Sequence, residues 1–370
     1  MHFENLQLQN FKNFEEIAFD FCEGINCFVG ANGVGKTNLL DALHYLSQTR
    51  SAFNTVDNQN IRHGEPYFVI RAGMVVDGKG HRLHLSLKRG EKKVLRFDKQ
   101  EYEKLRDHIG KVPLVMITPY DTDLIREGSE MRRKFFDGLI SQFDTIYMQD
   151  LVRYTQVLKQ RNALLKQLGE RGARPDRSRF EPYDRELLSI GRKLHERRLE
   201  MMERYTPLFT NHYQELASGK EHTMLRYHSD LLEDDFDDLF LEALPKDIAL
   251  QRTTMGIHKD DYVAVIDGQA LKKFGSQGQQ KSFVIAMKLA QFDMLKEQKG
   301  LSPVLLLDDI FDKLDDQRIG RLMELVAGNT FGQLFVTDAR PERTLQLFGN
   351  LQAPMRVFEI REGEAKELLS

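Results

Sequence analysis

The stretch "FVGANGVGKTNLLDAL", beginning at Phe28, constrains the fold more than any other part of this 370-residue chain. Its core, Gly30 to Thr37, fits G-x-x-x-x-G-K-[ST], the loop that wraps a polyphosphate. The chemistry asks for these residue types. Glycines let backbone N–H groups close around phosphate oxygens, Lys36 neutralises the β/γ charge, and the Thr37 hydroxyl reaches Mg²⁺. A helix start directly behind the loop adds the partial positive charge of its N-terminus. The apolar run "INCFVG" precedes the loop, and Leu39, Leu40, Leu43, Tyr45 and Leu46 follow it at near-helical spacing. Strand, loop and helix in that order specify an α/β fold that binds a nucleotide. Gly30, Ala31, Asn32, Gly33, Val34, Gly35, Lys36 and Thr37 form the candidate site.

The second half of such a site is "PVLLLDD". An apolar strand ending in two carboxylates at the carboxyl edge of a sheet suits a metal-holding and water-activating pair. Asp308 would reach the metal, and Asp309 would orient or deprotonate the attacking water. A third element is "KKFGSQGQQKSFVIAMKLAQFDML", in which Ser276-Gln277-Gly278-Gln279 opens a helix about thirty residues before the carboxylates. Ser276 reads equally as a plain N-cap and as a hydroxyl placed to touch a terminal phosphate. The order and spacing resemble the signature motif of ABC-type ATPases, which closes from one subunit over nucleotide held by the P-loop of another.

Around these motifs the chain changes character twice. Residues 1–118 read mainly as strands, with "MVVDGKGHRLHLSL" a hairpin marked by Asp77-Gly78. Residues 119–251 are dominated by long helix-period segments without sustained heptads, the clearest being "PYDRELLSIGRKLHERRLEMMERYTPLFTNHYQEL". Residues 252–370 return to strands, with a second Asp-Gly hairpin in "YVAVIDGQALKKF", and then alternate helix and strand. That alternation predicts a largely parallel sheet. The expected architecture is an ATPase lobe built from residues 1–118 and 252–370, interrupted by a helical insert lobe over 119–251.

Charge adds a localised hint. The net charge is −3, which excludes a globally basic DNA-coating protein. Between Leu151 and Tyr205, however, there are 14 Lys/Arg against 8 Asp/Glu, followed by the acidic "SDLLEDDFDDLFLEALPKD". The asymmetry reads either as a nucleic-acid or protein surface or as solvated helix faces. No run of about 18 apolar residues is present, so no membrane span is expected. Cys22 and Cys27 fit a reducing cytoplasm better than a disulfide or a zinc site.

At this point the sequence resembles, end to end, the RecF family of bacterial recombination-mediator ATPases related to SMC heads. The matching stretches are "LQLQNFKNF", the P-loop, "EMRRKFFD", "GIHKDDYV", "FGSQGQQKSF", "LLLDDIFDKLD" and a Thr-Asp after the last buried strand. The resemblance implies an ABC/SMC-head fold, ATP-dependent homodimerisation, weak and slow ATP hydrolysis, and binding to DNA, including single/double-strand junctions. It also implies work with a RecR-type mediator at gapped DNA, helping load RecA in the cytoplasm during repair and the SOS response. Carried onto this chain, Gly30 through Thr37 would hold ATP, and Thr37 with Asp308 would hold Mg²⁺. Ser276, Gly278 and Gln279 would touch the partner's γ-phosphate, with Lys36, Ser276, Asp308 and Asp309 catalytic. Asp312 and Asp315 would face the dimer partner.

Several departures and ambiguities bear on the chemistry. Asp309 stands where the wider ABC pattern has Glu, one methylene longer, which predicts slow turnover. Thr337 or Asp338 occupies the place of the transporters' switch His. Lys12 aligns with the basic residue of the N-F-[RK]-N opening, as a phosphate contact or a solvated surface lysine. Arg132 and Arg133 suit either salt bridges or phosphate contacts. His258, Asp260 and Asp261 suit a polar network better than a metal site, since no second His or Cys lies near. Lys272 and Lys273, with the basic 151–205 stretch, are the expected DNA-facing charges. The alternatives are an ABC-transporter nucleotide-driving subunit, against which the long helical insert argues, and a nucleotide-dependent scaffold for protein partners.

Overall fold

The computed structural model describes residues 1–171, 176–217, 221–311, 316–327, 331–349 and 353–369. The chain divides into two compact units: residues 1–121, 215–217 and 281–370 form the first, and residues 122–214 and 218–280 the second. Asp312 and Asp315 lie outside the described residues.

The chain begins in the first unit with β1 (His2–Phe11), β2 (Phe14–Asp20), β3 (Ile25–Val29), α1 (Lys36–Gln48), β4 (Tyr67–Val76), β5 (Lys79–Lys88), β6 (Val94–Phe97), β7 (Gln100–Glu101) and β8 (Leu114–Ile117). The second unit carries α2 (Asp123–Arg126), α3 (Ser129–Ser141), α4 (Thr145–Arg171), most of α5 (Glu181–Ala217), β9 (Thr223–His228), α6 (Phe236–Glu242), α7 (Leu244–Leu250), β10 (Asp261–Ile266), β11 (Gln269–Ala270) and α8 (Leu271–Phe274). Helix α9 (Gln277–Lys299) starts in the second unit and continues in the first. There β12 (Val304–Asp308), α10 (Asp316–Ala327), β13 (Leu334–Asp338), α11 (Pro341–Phe348), β14 (Met355–Arg361) and β15 (Glu364–Leu369) complete the chain.

In the first unit the strands form two sheets rather than one largely parallel sheet. The first, ordered β2-β1-β4-β5-β6-β7, is antiparallel throughout. Its strands alternate, with Phe68, Ile70, Ala72 and Met74 of β4 and Leu83, Leu85 and Leu87 of β5 buried. Alternation of this kind leaves the other face to water. The β4–β5 turn holds Asp77 at φ 49° and Gly78 at φ 73°, the double left-handed geometry that Asp-Gly hairpins favour. The second sheet, ordered β15-β14-β3-β13-β12-β8, is parallel except at β15. Strands β3, β12 and β13 are buried along their whole length, as parallel strands covered on both faces must be.

Helix α1 lies between the two sheets, touching β5 of one and β8, β12 and β13 of the other. Its buried residues include Leu39, Leu40, Ala42, Leu43, Tyr45, Leu46 and Ser47, too many for a single stripe, which is how a helix covered on all sides reads. Around it Phe3, Phe19, Phe21, Phe28, Phe335 and Phe358 interlock, with Phe21 edge-on to Phe335 at 4.8 Å and 81°. The P-loop helix is thereby fixed by the core of its unit.

The second unit is helical but carries its own sheet, ordered β11-β10-β9. Strand β9 lies in a stretch the periodicity assigns to helices. It pairs with β10, so the hairpin after Gln251 stays with the helices, and this unit runs to Gln280, past the boundary expected at 251. Seven of the fourteen Lys and Arg of the 151–205 stretch form ion pairs among the described residues. Arg161 is buried against Asp184 (2.7 Å) and Asp247 (2.6 Å), and Arg198 against Asp137 (2.8 Å) and Asp260 (2.6 Å). Arg153, Lys166, Arg185, Arg192 and Arg197 pair with carboxylates nearer the surface.

The "GIHKDDY" residues complete this network. His258 shares Nδ1 with the Tyr154 hydroxyl at 3.0 Å and Nε2 with the Thr253 carbonyl at 3.1 Å. Asp261 accepts from Arg132 at 2.7 and 3.0 Å, and Arg133 donates to the Asp260 carbonyl at 2.6 Å. Among the described residues no cluster of His, Cys, Asp or Glu is placed to hold a metal alone. Both arginines of "EMRRKFFD" are therefore engaged within the protein. Among the described residues, too, no helix is long and apolar enough to cross a membrane, and Cys22 and Cys27 are free thiols.

Removing Arg198 would strand buried Asp260 and half-buried Asp137 as uncompensated charges. Arg198→Met is expected to destabilise the protein by about 3–5 kcal/mol, read from the urea midpoint of the helical signal. A change under about 1 kcal/mol would mean that water already screens the network.

Candidate nucleotide site

Sheet register builds the site. In the parallel sheet Asp308 of β12 lies opposite Thr337 of β13, and Thr337 opposite Phe28 of β3. The carboxyl ends of three neighbouring strands thus stop level with one another, where open α/β sheets bind ligands. Beyond β3 the chain turns through Gly30, Gly33 and Gly35, at φ 142°, 86° and 107°. At Gly35 a Cβ would also come within 2.4 Å of the Asn13 amide, so the glycine is needed for space as well as conformation.

Gly35 is the N-cap of α1 and provides no side-chain cap. The N–H groups of Lys36 and Thr37, at the helix start, have no carbonyl partner within the helix, whereas Asn38 N–H donates to the Gly35 carbonyl at 2.9 Å. The Lys36 ammonium is buried and donates to the Gly30 carbonyl at 2.7 Å and the Ala31 carbonyl at 2.9 Å. Burial draws its pKa down, opposed by Asp309, Asp308 and Asp338.

Thr37 donates its hydroxyl to Asp308, 2.8 Å from Oδ1 and 3.1 Å from Oδ2. Thr337 donates to Asp308 Oδ1 at 2.8 Å and accepts the Asp309 N–H at 3.0 Å. Asp309 itself sits at φ 46°, a left-handed turn directly after the strand. Burial raises the Asp308 pKa, the two threonine hydroxyls oppose this, and the neighbouring Asp309 adds to the rise. An open cleft of about 310 Å³ is lined by Asn32, Gly33, Gly35, Lys36, Thr37, Asn38, Asp309 and Thr337.

The donor set fits a nucleotide with its metal. A hydroxyl and a carboxylate in contact are hard oxygen ligands of the kind Mg²⁺ takes from protein, the rest of its shell coming from phosphates and water. Backbone N–H groups and one ammonium suit the phosphates. Thr37 and Asp308 can hold the metal, and Lys36 with the loop amides can hold the polyphosphate.

Other expected residues fall differently. Lys12 is not a solvated surface lysine, its side chain being largely buried. Its ammonium pairs with buried Asp41 at 2.6 Å, and Asp41 also accepts from Ser51 Oγ and the Ala52 N–H, each at 2.6 Å. Asp338 is buried and tied to Arg343 (2.5 Å) and the Arg340 N–H (2.9 Å). Ser276, Gly278 and Gln279 belong to the second unit, at the start of α9. Gln279 N–H donates to Ser276 Oγ at 3.2 Å and Ser276 N–H to Gln279 Oε1 at 2.7 Å, a reciprocal capping box. Ser276 is exposed beside exposed Lys272, Lys273 and Phe274. Sequence reasoning missed Asn13, whose Nδ2 donates to the Val34 carbonyl (3.0 Å) and whose Oδ1 accepts from Asn38 (2.7 Å). The signal was present in "NFKNF", where the basic residue drew attention from the amide beside it.

Comparison with known proteins places this geometry. The RecF/RecN/SMC N-terminal domain family matches residues 2–365. The DNA replication and repair protein RecF of Flavobacterium johnsoniae is 48% identical over 97% of this chain and 100% of its own length. The RecF of Cytophaga hutchinsonii is 44% identical, over 99% of this chain and 97% of its own. A solved structure of the recombination mediator protein RecF with ATP, from the RecFOR pathway, superposes with a TM-score of 0.86 at 26% identity, over 99% of both chains. An Smc head bound to the C-winged-helix domain of ScpA shares the fold at TM-score 0.55 and 14% identity, covering 100% of this chain and 97% of that one.

A raised Asp308 pKa means its ionised form costs folding stability. That cost is absent below the unfolded-state value and grows as pH rises through the folded one. Asp308→Asn keeps an oxygen for both threonines and removes the charge. It should raise the nucleotide-free melting temperature at pH 7–8 by about 1–3 °C, with the gain shrinking towards pH 4. A fall of several degrees would make Asp308 a structural link instead.

Proposed function

The chain belongs to the RecF family of DNA replication and repair proteins, and from that premise we propose that it is an ATP-gated DNA-binding protein of recombinational repair. ATP binds at the P-loop, two copies close head to head on DNA, and slow hydrolysis lets them part. The protein thereby helps deliver recombinase to single-strand gaps, in the cytoplasm and together with a RecR-type mediator. The observation that carries this reading is the Thr37–Asp308 hydrogen bond, which joins the two halves of a phosphate and metal site in a chain of this family.

The residues divide the work. The N–H groups at the start of α1 hold the phosphates, and Lys36 exchanges its two carbonyl partners for β/γ oxygens. Thr37 and Asp308 hold Mg²⁺, which when bound neutralises charge on the phosphates. Asp309 orients the attacking water and takes its proton. A carboxylate one methylene shorter than glutamate reaches that water less well, which supports slow turnover. Ser276 of the second copy accepts the Gln279 N–H and so keeps its own hydroxyl proton to donate to a γ-phosphate oxygen. Gly278, two residues further on, lets the phosphate approach the backbone.

Ser276→Arg separates the two halves of the mechanism. Fluorescent-nucleotide affinity should change less than about twofold, since Ser276 acts in trans, while turnover should fall at least about tenfold, the loss expected of one transition-state contact. Turnover equal to that of the unaltered protein would reduce Ser276 to a helix cap.

A further inference from the structure

The outward face of the antiparallel sheet carries positive charge that the nucleotide site does not use. The alternation that buries Ile70, Ala72, Leu83, Leu85 and Leu95 sends Arg71, Arg82, His84 and Arg96 to the opposite side. The ladder sets three of these abreast, Arg71 opposite His84 and His84 opposite Arg96. Neighbouring strands are about 4.8 Å apart, and like charges directly opposite are destabilising. The crowding is felt at His84, whose pKa is drawn down by burial and then by Arg71 and Arg96.

Local carboxylates answer only part of this charge. Arg96 pairs with Glu101 at 3.1 Å and His81 with Asp98 at 2.6 Å. Among the described residues no carboxylate pairs with Arg71 or Arg82. Both line a hollow of about 800 Å³, together with Ala72 and Gly73. A side chain at Gly73 would displace Asn5, since a Cβ there meets its amide at 2.7 Å. Asn5 and Gln7, on the neighbouring strand β1, and Lys99, beyond β6, also line it, with Glu4 the sole carboxylate among the lining residues.

We propose that this hollow is a docking surface for the sugar-phosphate backbone of duplex DNA, gripped by Arg71, Arg82, Arg96 and Lys99 with the Asn5 and Gln7 amides beside them. It rests on the DNA-binding reading above and gives that reading a surface. The lining argues against other occupants. A protein partner would need apolar anchors, yet the only apolar side chains here are Ala72 and Leu83, both buried. Unpaired bases would need an aromatic platform, and no Phe or Tyr lines the hollow. Cations and amides are what a phosphate backbone requires.

The test is duplex binding by the full chain with Mg-ATP over a salt series, comparing the unaltered protein with the Arg71→Ala/Arg82→Ala and Lys272→Ala/Lys273→Ala variants. The sheet variant should bind about tenfold or more weakly, with the slope of log K against log salt reduced by about 2. Its nucleotide affinity should stay unchanged and its melting temperature should not fall, because like-charge neighbours are being removed. Unchanged affinity and slope in the sheet variant would overturn the proposal and leave the DNA-binding reading standing. The same holds if the sheet variant loses only self-association or only single-strand binding. An unaltered protein that fails to hold duplex would sink the DNA-binding reading itself, and this surface with it.

Discussion

The hydrogen bond from Thr37 to Asp308 joins the first helix of the chain to a strand near its end, and the organisation of the first unit follows from what that contact requires. Asp308 must end β12 level with Thr337 on β13 and with the exit of β3, so three parallel strands must keep one register. Parallel strands covered on both faces must be mainly apolar, which accounts for "INCFV", "VLLLD" and "LFVTD", whose polar residues are hydrogen-bonded. A hydrogen bond to a charged group contributes about 1.5–3 kcal/mol, too little to impose such a register alone. The packed sheet imposes it, and the bond reports that the two halves have met.

The same unit holds the P-loop from its other side. The turn between β1 and β2 places Lys12 at φ 53° and presents two side chains to α1. Asn13 fastens Val34 and Asn38, while Lys12 fastens Asp41, which in turn gathers Ser51 and Ala52. Asn38 and Asp41 are three residues apart and so lie on one face of the helix. The loop is thus braced at its own turn and one turn further on, leaving the cleft to the ligand. Preorganisation of this kind lets the backbone donors act without rearranging, so that Lys36 alone has to exchange partners.

How much of this was legible depended on whether the chemistry is contiguous in the chain. Gly30 to Thr37 and "PVLLLDD" could be read because loop, helix start and strand end each need particular neighbours. The Asp-Gly hairpins at 77–78 and 267–268 were legible for the same reason, since few residues tolerate two left-handed positions in a row. Contacts set by register were not. Nothing local to Thr337 says that its hydroxyl bridges Asp308 and Asp309, and nothing local to Lys12 says that its partner is Asp41. Composition could not sort the charges of 151–205, because a buried Arg161 or Arg198 counts the same as a solvated arginine. The pleat hid the opposite case: Arg71, His84 and Arg96 are scattered along the chain, and only pairing makes them a row.

The central claim is that ATP joins two copies through residues that a single copy cannot use. The most direct measurement is the light-scattering mass of Asp309→Asn with and without Mg-ATP, since that change removes the base and keeps the metal ligand. The account predicts twice the monomer mass with nucleotide and the monomer mass without it. A monomer mass with ATP demonstrably bound would contradict it.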